Sequence, residues 1–432
     1  MRKPKRETTI MDIQSLDALD ESELASVLDR DAGIDEIRAD VRGIVEEVRD
    51  RGDDALREFS EKFDGVEVDT LDITARTERA AEAIEPELRE AIEAAIDNVR
   101  AFHERQVRTD WTDSFGGARL GRQFRPLRRI GAYVPGGSAT YPSTSIMTVV
   151  PAKVAGVEEV VVVTPPAEEL NPVTLAAIGL AGADEVYSVG GAQAIGALAY
   201  GTETIPPVEK VVGPGNRWVA AAKAEVRGDV AIDMIAGPTE VLVVADETAS
   251  PRLVAAELVG QAEHDPHSSV VAVTPDESLA RAVADEVEAQ VPDRARPEII
   301  REALANETSG VFVAPSMDEV TAFAEAYAVE HLVVMTADDE ATVDAIDSAG
   351  SVFVGEYSPV AAGDYASGTN HVLPTGAGAK TTGGLSVDSF VRSRTVQHLD
   401  RDSLDSLSDT IVTLAELEGL EAHAESVRKR FE

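Results

Sequence analysis

Cysteine is missing from all 432 residues, which excludes disulfides, thiolate metal sites and a cysteine nucleophile. An aldehyde oxidised by such a chain cannot be held as a thiohemiacetal. Lysine is scarce as well. Most of the 39 basic residues are arginine, and they stand against 79 acidic ones, for a formal net charge of −40. The clustered cations that phosphate backbones require are lacking, so nucleic acid is excluded as a partner. No run approaches the ~20 uninterrupted apolar residues of a membrane helix. The basic start Met1–Ile10 is followed by no apolar core of a signal peptide. The expectation is a cytoplasmic protein with no membrane partner.

Present instead is enough apolar material, 44% of the chain, for two or three cores, because a single core stops growing beyond roughly 250–300 residues. The acidic residues are spread along the chain, as in Asp35–Asp54 and Asp276–Glu288, and describe a solvated surface. Self-repulsion of this kind is tolerable where salt screens it, since the Debye length falls to ~3 Å near molar salt. The bias resembles that of proteins from salt-loving cells.

Up to about residue 125 the pattern is helical and charged, with Leu24, Val27 and Leu28, then Ile92, Ala95 and Ile96, at helical spacing. Residues 1–129 are therefore expected to form a helical N-terminal segment. From Ile130 short β-branched runs alternate with helices: Glu159–Thr164, Glu185–Val189, Lys210–Val212, Val241–Ala245, Val270–Thr274, Gly310–Ala314, Leu332–Thr336 and Ser351–Gly355. Such alternation predicts parallel sheets covered on both faces. A change at Gly237-Pro238 divides the series into two doubly wound halves, 130–237 and 238–384. Gly355–Gly384 is rich in Gly, Ser, Thr and Pro without periodicity, and long loops of that kind are usually functional. Residues 385–432 form a tail that ends in helix.

Four places carry chemistry. Ser250-Pro251 starts a helix and Asp265-Pro266 stops it, which sets Gln261 and His264 on one face of its last turn, where a cation is favoured. A metal site and a solvated helix end both fit that pair. Glu330-His331 lies between the helix Val320–Tyr327 and the strand at Leu332, and suits acid–base work, although an exposed ion pair has the same spelling. Asp364 and His371 stand in a glycine-rich stretch too polar for core, with a turn role for Asp364 as the alternative. Glu418 and His423 are five residues apart, about 140° on an ideal helix, and share a small site only by reaching it from different sides or if Gly419 breaks the helix. A fifth segment, Val211-Val212-Gly213-Pro214-Gly215-Asn216, joins a strand to the helix Arg217–Val226, where free N–H groups suit a phosphate. Trp218 stands where the dinucleotide fingerprint needs its third glycine, so this turn alone defines no dinucleotide site.

Taken together, and in this order, several blocks resemble the histidinol dehydrogenase family: Tyr133-Val134-Pro135-Gly136-Gly137, Gly190–Ile195, Gly213–Asn216, Ala236–Glu240, Gln261–His264, Glu330-His331-Leu332, Gly363–Thr375, Glu418-Gly419-Leu420 and Ala422-His423. The resemblance runs from about Ile130 to His423 and is loose before it. It implies an α/β fold of two incomplete Rossmann-like domains with mostly parallel sheets, and a C-terminal tail exchanged across a homodimer with shared active sites. By the same resemblance one zinc per subunit is held by Gln261, His264, Asp364 and His423, the last from the partner subunit. Substrate is met by those four together with Thr239, His331, His371 and Glu418, and NAD by Tyr133, Gln193 and Asn216. The family usually has serine at the position of Thr239, and threonine keeps the hydroxyl.

The implied reaction is the oxidation of L-histidinol through its aldehyde to L-histidine, the last step of histidine biosynthesis, with two NAD per turnover. His331 is the general base and Glu330 activates the water that adds to the aldehyde. The lack of cysteine agrees with direct hydration of that aldehyde. Two other readings stand beside it. A zinc hydrolase lacks H-E-x-x-H and would show no NAD-dependent absorbance change with an amino alcohol. A metal- or nucleotide-binding protein would bind without turnover.

Overall fold

A computed structural model describes residues 10–30, 33–136 and 141–432. Residues 1–9 of the basic start, and Gly137 of the block after Tyr133, lie outside the described residues.

The strands in chain order are β1 (Ile13–Ser15), β2 (Trp111–Phe115), β3 (Ala118–Pro126), β4 (Arg129–Tyr133), β5 (Glu159–Thr164), β6 (Glu185–Ser188) and β7 (Lys210–Val212). There follow β8 (Ala231–Ile232), β9 (Glu240–Ala245), β10 (Ser269–Thr274), β11 (Gly310–Val313), β12 (His331–Met335), β13 (Ser351–Val354) and β14 (Val391–His398).

Two parallel sheets organise the molecule. The first runs β6-β5-β4-β7-β8. The second runs β1-β11-β10-β9-β12-β13. Numbered within its own half, and with β1 set aside at the edge of the second, each sheet has the order 3-2-1-4-5, the doubly wound Rossmann order without its sixth strand. The central strands are near-continuous apolar runs, Val160–Val163 in β5 and Val241–Ala245 in β9, because helices cover both faces. The expected strands recur within a residue or two at their ends.

The N-terminal segment departs from a purely helical layer. Its helices are present, and Ile92, Ala95, Ile96 and Val99 of the helix Pro86–Glu104 are buried against the first sheet as their spacing predicts. Each such Val or Ile contributes roughly 1.5–3 kcal/mol when fully buried. β1, however, extends the second sheet beside β11, and β2 and β3 form a separate antiparallel sheet with β14 in the order β14-β3-β2. These strands lack the alternation that would reveal them: β2 is exposed throughout, and β3 is spelled Arg122-Gln123-Phe124-Arg125 in its second half.

The C-terminal helices Arg401–Leu417 and Glu421–Arg428 pack on each other, reversing at Gly419, whose φ of 72° only glycine adopts readily. Gly419 thus breaks the helix between Glu418 and His423. Leu414, Leu417 and Leu420 remain exposed. No helix among the described residues is long and apolar enough to cross a membrane.

Candidate active site

The chemistry-bearing residues collect at strand ends of the two sheets. On the second sheet they stand at the strand starts: Thr239 before β9, Glu330 before β12, and His331 as its first residue. Parallel pairing of β12 with β9 sets His331 opposite Val241, which brings Thr239, Glu240, Glu330 and His331 into one buried cluster. The exposed ion pair considered for Glu330-His331 is excluded, since the two are 7% and 3% accessible.

Within the cluster Glu330 Oε2 accepts from the Thr239 hydroxyl at 2.6 Å and from the Glu240 N–H at 2.9 Å. Thr239 Oγ1 in turn accepts from Gln261 Nε2. His331 Nδ1 lies 3.0 Å from the Glu240 carbonyl and 3.4 Å from Glu330 Oε2. The carbonyl can only accept, so Nδ1 carries a proton, and Nε2 is the nitrogen through which the ring gains or loses its second one. His331 Nε2 is buried without a hydrogen-bond partner; Asp364 Oδ1, at 3.6 Å, is an electrostatic neighbour only. Burial works against protonation of His331, but the Glu330 charge, followed by Asp364, lifts its pKa well above the ordinary value.

Gln261 closes the last turn of the helix Pro251–Ala262, and His264 follows in the next turn, its N–H bonded to the Gln261 carbonyl at 3.2 Å. Ser250 occupies the expected cap position, yet its side chain makes no capping hydrogen bond. Asp364 lies on a short helix, Val360–Tyr365, inside the stretch expected to be loop, and its carbonyl meets His371 Nδ1 at 3.0 Å. That helix opens on Glu257, whose Oε2 accepts from the Val360 N–H at 3.0 Å. Burial resists ionisation of Asp364, but the imidazoles of His331, His371 and His264 together hold its pKa below the ordinary value.

The structure therefore brings together Thr239, Gln261, His264, Glu330, His331, Asp364 and His371. It does not bring Glu418 or His423: both are exposed on the tail, and neither bonds to Gln261, His264 or Asp364 of the same chain. Among the described residues no three His, Cys, Asp or Glu side chains are set to hold a metal. The expected set offers only His264 and Asp364 of those types from one chain, plus the Gln261 amide. Nitrogen and oxygen donors of this kind suit zinc. The His331 ring lies between two carboxylates, Glu330 beside Nδ1 at 3.4 Å and Asp364 beside Nε2 at 3.6 Å.

Tyr133, Gln193 and Asn216 line a second place, a cavity of about 600 Å³ at the carboxyl ends of β4, β6 and β7. That is where ligands bind in open α/β sheets, and the volume is that of a small-molecule site. The Tyr133 hydroxyl accepts from the Gly191 N–H at 3.1 Å. Asn216 Oδ1 caps the helix Arg217–Val226 through the N–H groups of Trp218 and Val219, leaving its amide NH2 for other partners. A Cβ on Gly213 would lie 2.3 Å from the Tyr133 carbonyl, so this turn needs glycine for close packing. Buried Lys223 ties the same turn to Asp233 at 2.6 Å.

Some contributors had no role in the sequence reading. Glu240 appeared only inside a block, and Arg30, its ion-pair partner, gave no signal because the two are 210 positions apart in the chain. Glu257 was missed too, although a signal existed: it precedes Gln261 by four residues on the same helix face.

A paired doubly wound fold, with a small-molecule cavity on one sheet and a buried imidazole–carboxylate cluster on the other, defines an α/β protein of the architecture that NAD-dependent oxidoreductases use. Comparison with known proteins narrows the class. The histidinol dehydrogenase family model matches residues 28–431. The histidinol dehydrogenase of Haloarcula marismortui is 64% identical over 98% of this chain and 100% of its own. That of Methanosarcina barkeri is 45% identical over 98% of each chain. The crystal structure of histidinol dehydrogenase from Elizabethkingia anophelis superimposes with a TM-score of 0.92, at 38% identity over 98% of each chain. The chain belongs to the histidinol dehydrogenase family.

Proposed function

We propose that the chain oxidises L-histidinol through L-histidinaldehyde to L-histidine, consuming two NAD, with one zinc per subunit and active sites shared in a homodimer. The observation that carries this is His331: Nδ1 is committed to the Glu240 carbonyl, and Nε2 is buried and unpartnered, the ring nitrogen left to exchange a proton with a substrate. Family membership supports the substrate. Gln261, His264, Asp364 and His423 of the partner subunit would hold the zinc, which would supply a positive charge to orient the substrate, and NAD would serve as the hydride acceptor of both oxidations.

The remaining work falls to side chains of this protein. In the first oxidation His331 Nε2 takes the alcohol proton as the carbon gives up its hydride, leaving the aldehyde. Glu330 then takes a proton from the water that adds to that aldehyde, while His331 returns its proton to the aldehyde oxygen, which completes the hydrate and frees Nε2. In the second oxidation His331 takes a hydroxyl proton of the hydrate, and loss of hydride yields the acid, which ionises to the carboxylate. Proton transfers of this kind are worth about 10²–10⁴ in rate. Thr239, His371 and Glu418 contact the substrate, and Tyr133, Gln193 and Asn216 bind NAD.

The test is stoichiometry. Purified protein given L-histidinol and excess NAD should form two NADH per substrate and release L-histidine, and should lose activity on chelation and regain it with zinc. One NADH per substrate, with free aldehyde accumulating, would refute the two-step reading.

A further inference from the structure

The cavity that holds Tyr133, Gln193 and Asn216 has an acidic wall with no cation in it. Its lining side chains include Asp64 and Glu169, and no Lys, Arg or His among the described residues. Lys62 lies near, with its ammonium over the Phe63 ring at 5.0 Å, but is not part of the lining. In the Rossmann arrangement an acid near the end of the second strand receives the adenosine ribose hydroxyls. Here that strand, β5, ends at Thr164 and runs into Pro165-Pro166, with no acid at its tip. Glu169, further along, is exposed.

Asp64 reaches the cavity from the N-terminal segment, as Ile44 and Phe63 do. It is the last residue of a π turn, Ser60–Asp64, a form that recurs at functional sites. Its Oδ2 is buried and has no hydrogen-bond partner. Burial pushes its carboxyl up to about 6; burial also raises the hydroxyl of Tyr133, with a smaller contribution from the Asp64 charge. A carboxylate kept unpaired at such a cost marks a place where a ligand group is awaited.

We propose that Asp64 is the specificity-determining residue for the dinucleotide: it receives the adenosine ribose hydroxyls of NAD and repels the 2′-phosphate of NADP. This rests on the reading of the cavity as the NAD site. An additional phosphate there would meet a carboxylate and no compensating cation.

Equilibrium titration of the full-length protein with NADH and NADPH, followed by calorimetry, tests both. The wild type should bind NADH and discriminate against NADPH. Asp64→Asn should reduce the ratio of the two dissociation constants by about tenfold or more, a factor equivalent to 1.4 kcal/mol, with most of the change in NADPH. Asp64→Ser should act in the same direction, and thermal melts will show that both variants are folded. Gln193→Leu serves as the control for the cavity and should weaken both ligands alike. If Gln193→Leu weakens NADH while both Asp64 variants keep the wild-type ratio, Asp64 is not the selector and the cavity reading stands. If none of these variants alters NADH binding, the cavity is not the dinucleotide site and the proposal falls with it.

Discussion

Arg30 and Glu240 form an ion pair at 3.0 Å with their side chains only 4% and 2% accessible, and it stands directly behind Glu330 and His331. Glu240 holds that pair with its main chain, donating N–H to Glu330 and accepting Nδ1–H from His331. Its side chain is anchored by Arg30 and by the Gly376 N–H at 2.7 Å. Arg30 also stacks on Tyr327, 3.6 Å from the ring centroid. Gly350 packs against the same place, where a Cβ would come within 2.6 Å of the Glu330 carbonyl.

Removing one partner of a buried pair costs about 3–5 kcal/mol, because the other charge is left uncompensated. Arg30→Met should therefore lose stability on that scale in denaturant titration and lower kcat as the Glu240 backbone loosens. Adding Glu240→Gln to Arg30→Met should recover most of the stability. An Arg30→Met protein as stable as the wild type would mean that Glu240 is not held by this pair.

Thr239 links a proposed metal ligand to a proposed base: its hydroxyl donates to Glu330 and accepts from Gln261. Thr239→Ser keeps both bonds and should retain activity within a few-fold. Thr239→Val keeps the shape but strands two buried polar groups, at roughly 1–3 kcal/mol each. Its kcat/KM should drop at least tenfold while its circular dichroism is unchanged. Equal activity of the Ser and Val variants would show that the hydroxyl does nothing.

Most of the parallel framework was legible because strands buried on both faces spell uninterrupted Val-rich runs, as β5 and β9 do. β14, β3 and β2 were not, because a solvated antiparallel sheet edged with arginine has no apolar pattern to read. At the site, Gln261 and His264 were placed by helix punctuation, and Glu330-His331 by the boundary before β12. What spacing could not supply was the partner across the fold. Nothing near Arg30 in sequence points to Glu240, 210 positions away, nor does anything near Asp64 point to the cavity of Tyr133.

Asp64 also makes a prediction about stability and pH. Its carboxyl titrates near 6 in the folded chain against 3.8 ordinarily. Between those values the folded state binds more protons than the unfolded state, so this group's contribution to stability falls as pH rises through the window. Above pH 6 the ionised, unpaired carboxylate opposes folding, and below pH 4 it does not. Asp64→Asn should accordingly melt at or above the wild-type temperature at pH 8, with the difference shrinking as pH falls toward 4. A variant less stable than wild type at pH 8 would mean that the carboxylate is paired in the folded state.

The exposed tail sets the last prediction. Glu418 and His423 flank the Gly419 reversal, far from any bond to their own chain's Gln261, His264 or Asp364, and the apolar Leu414, Leu417 and Leu420 beside them face outward. Delivery of the tail to a neighbouring subunit accounts for both facts. His264→Ala and His423→Ala should each be inactive as homodimers. In a two-fold mixed dimer one site receives both defects and the other receives none, because the intact tail of the His264→Ala subunit completes the site of the His423→Ala subunit. Co-expressed or reassembled mixed dimers should recover about half of the wild-type activity per dimer, with one zinc in place of two, as that symmetry requires. Zinc content and turnover measured on the same isolated heterodimer check the two counts together. Verified mixed dimers that stay inactive, with each mutant folded and dimeric, would show that the tail completes its own subunit's site.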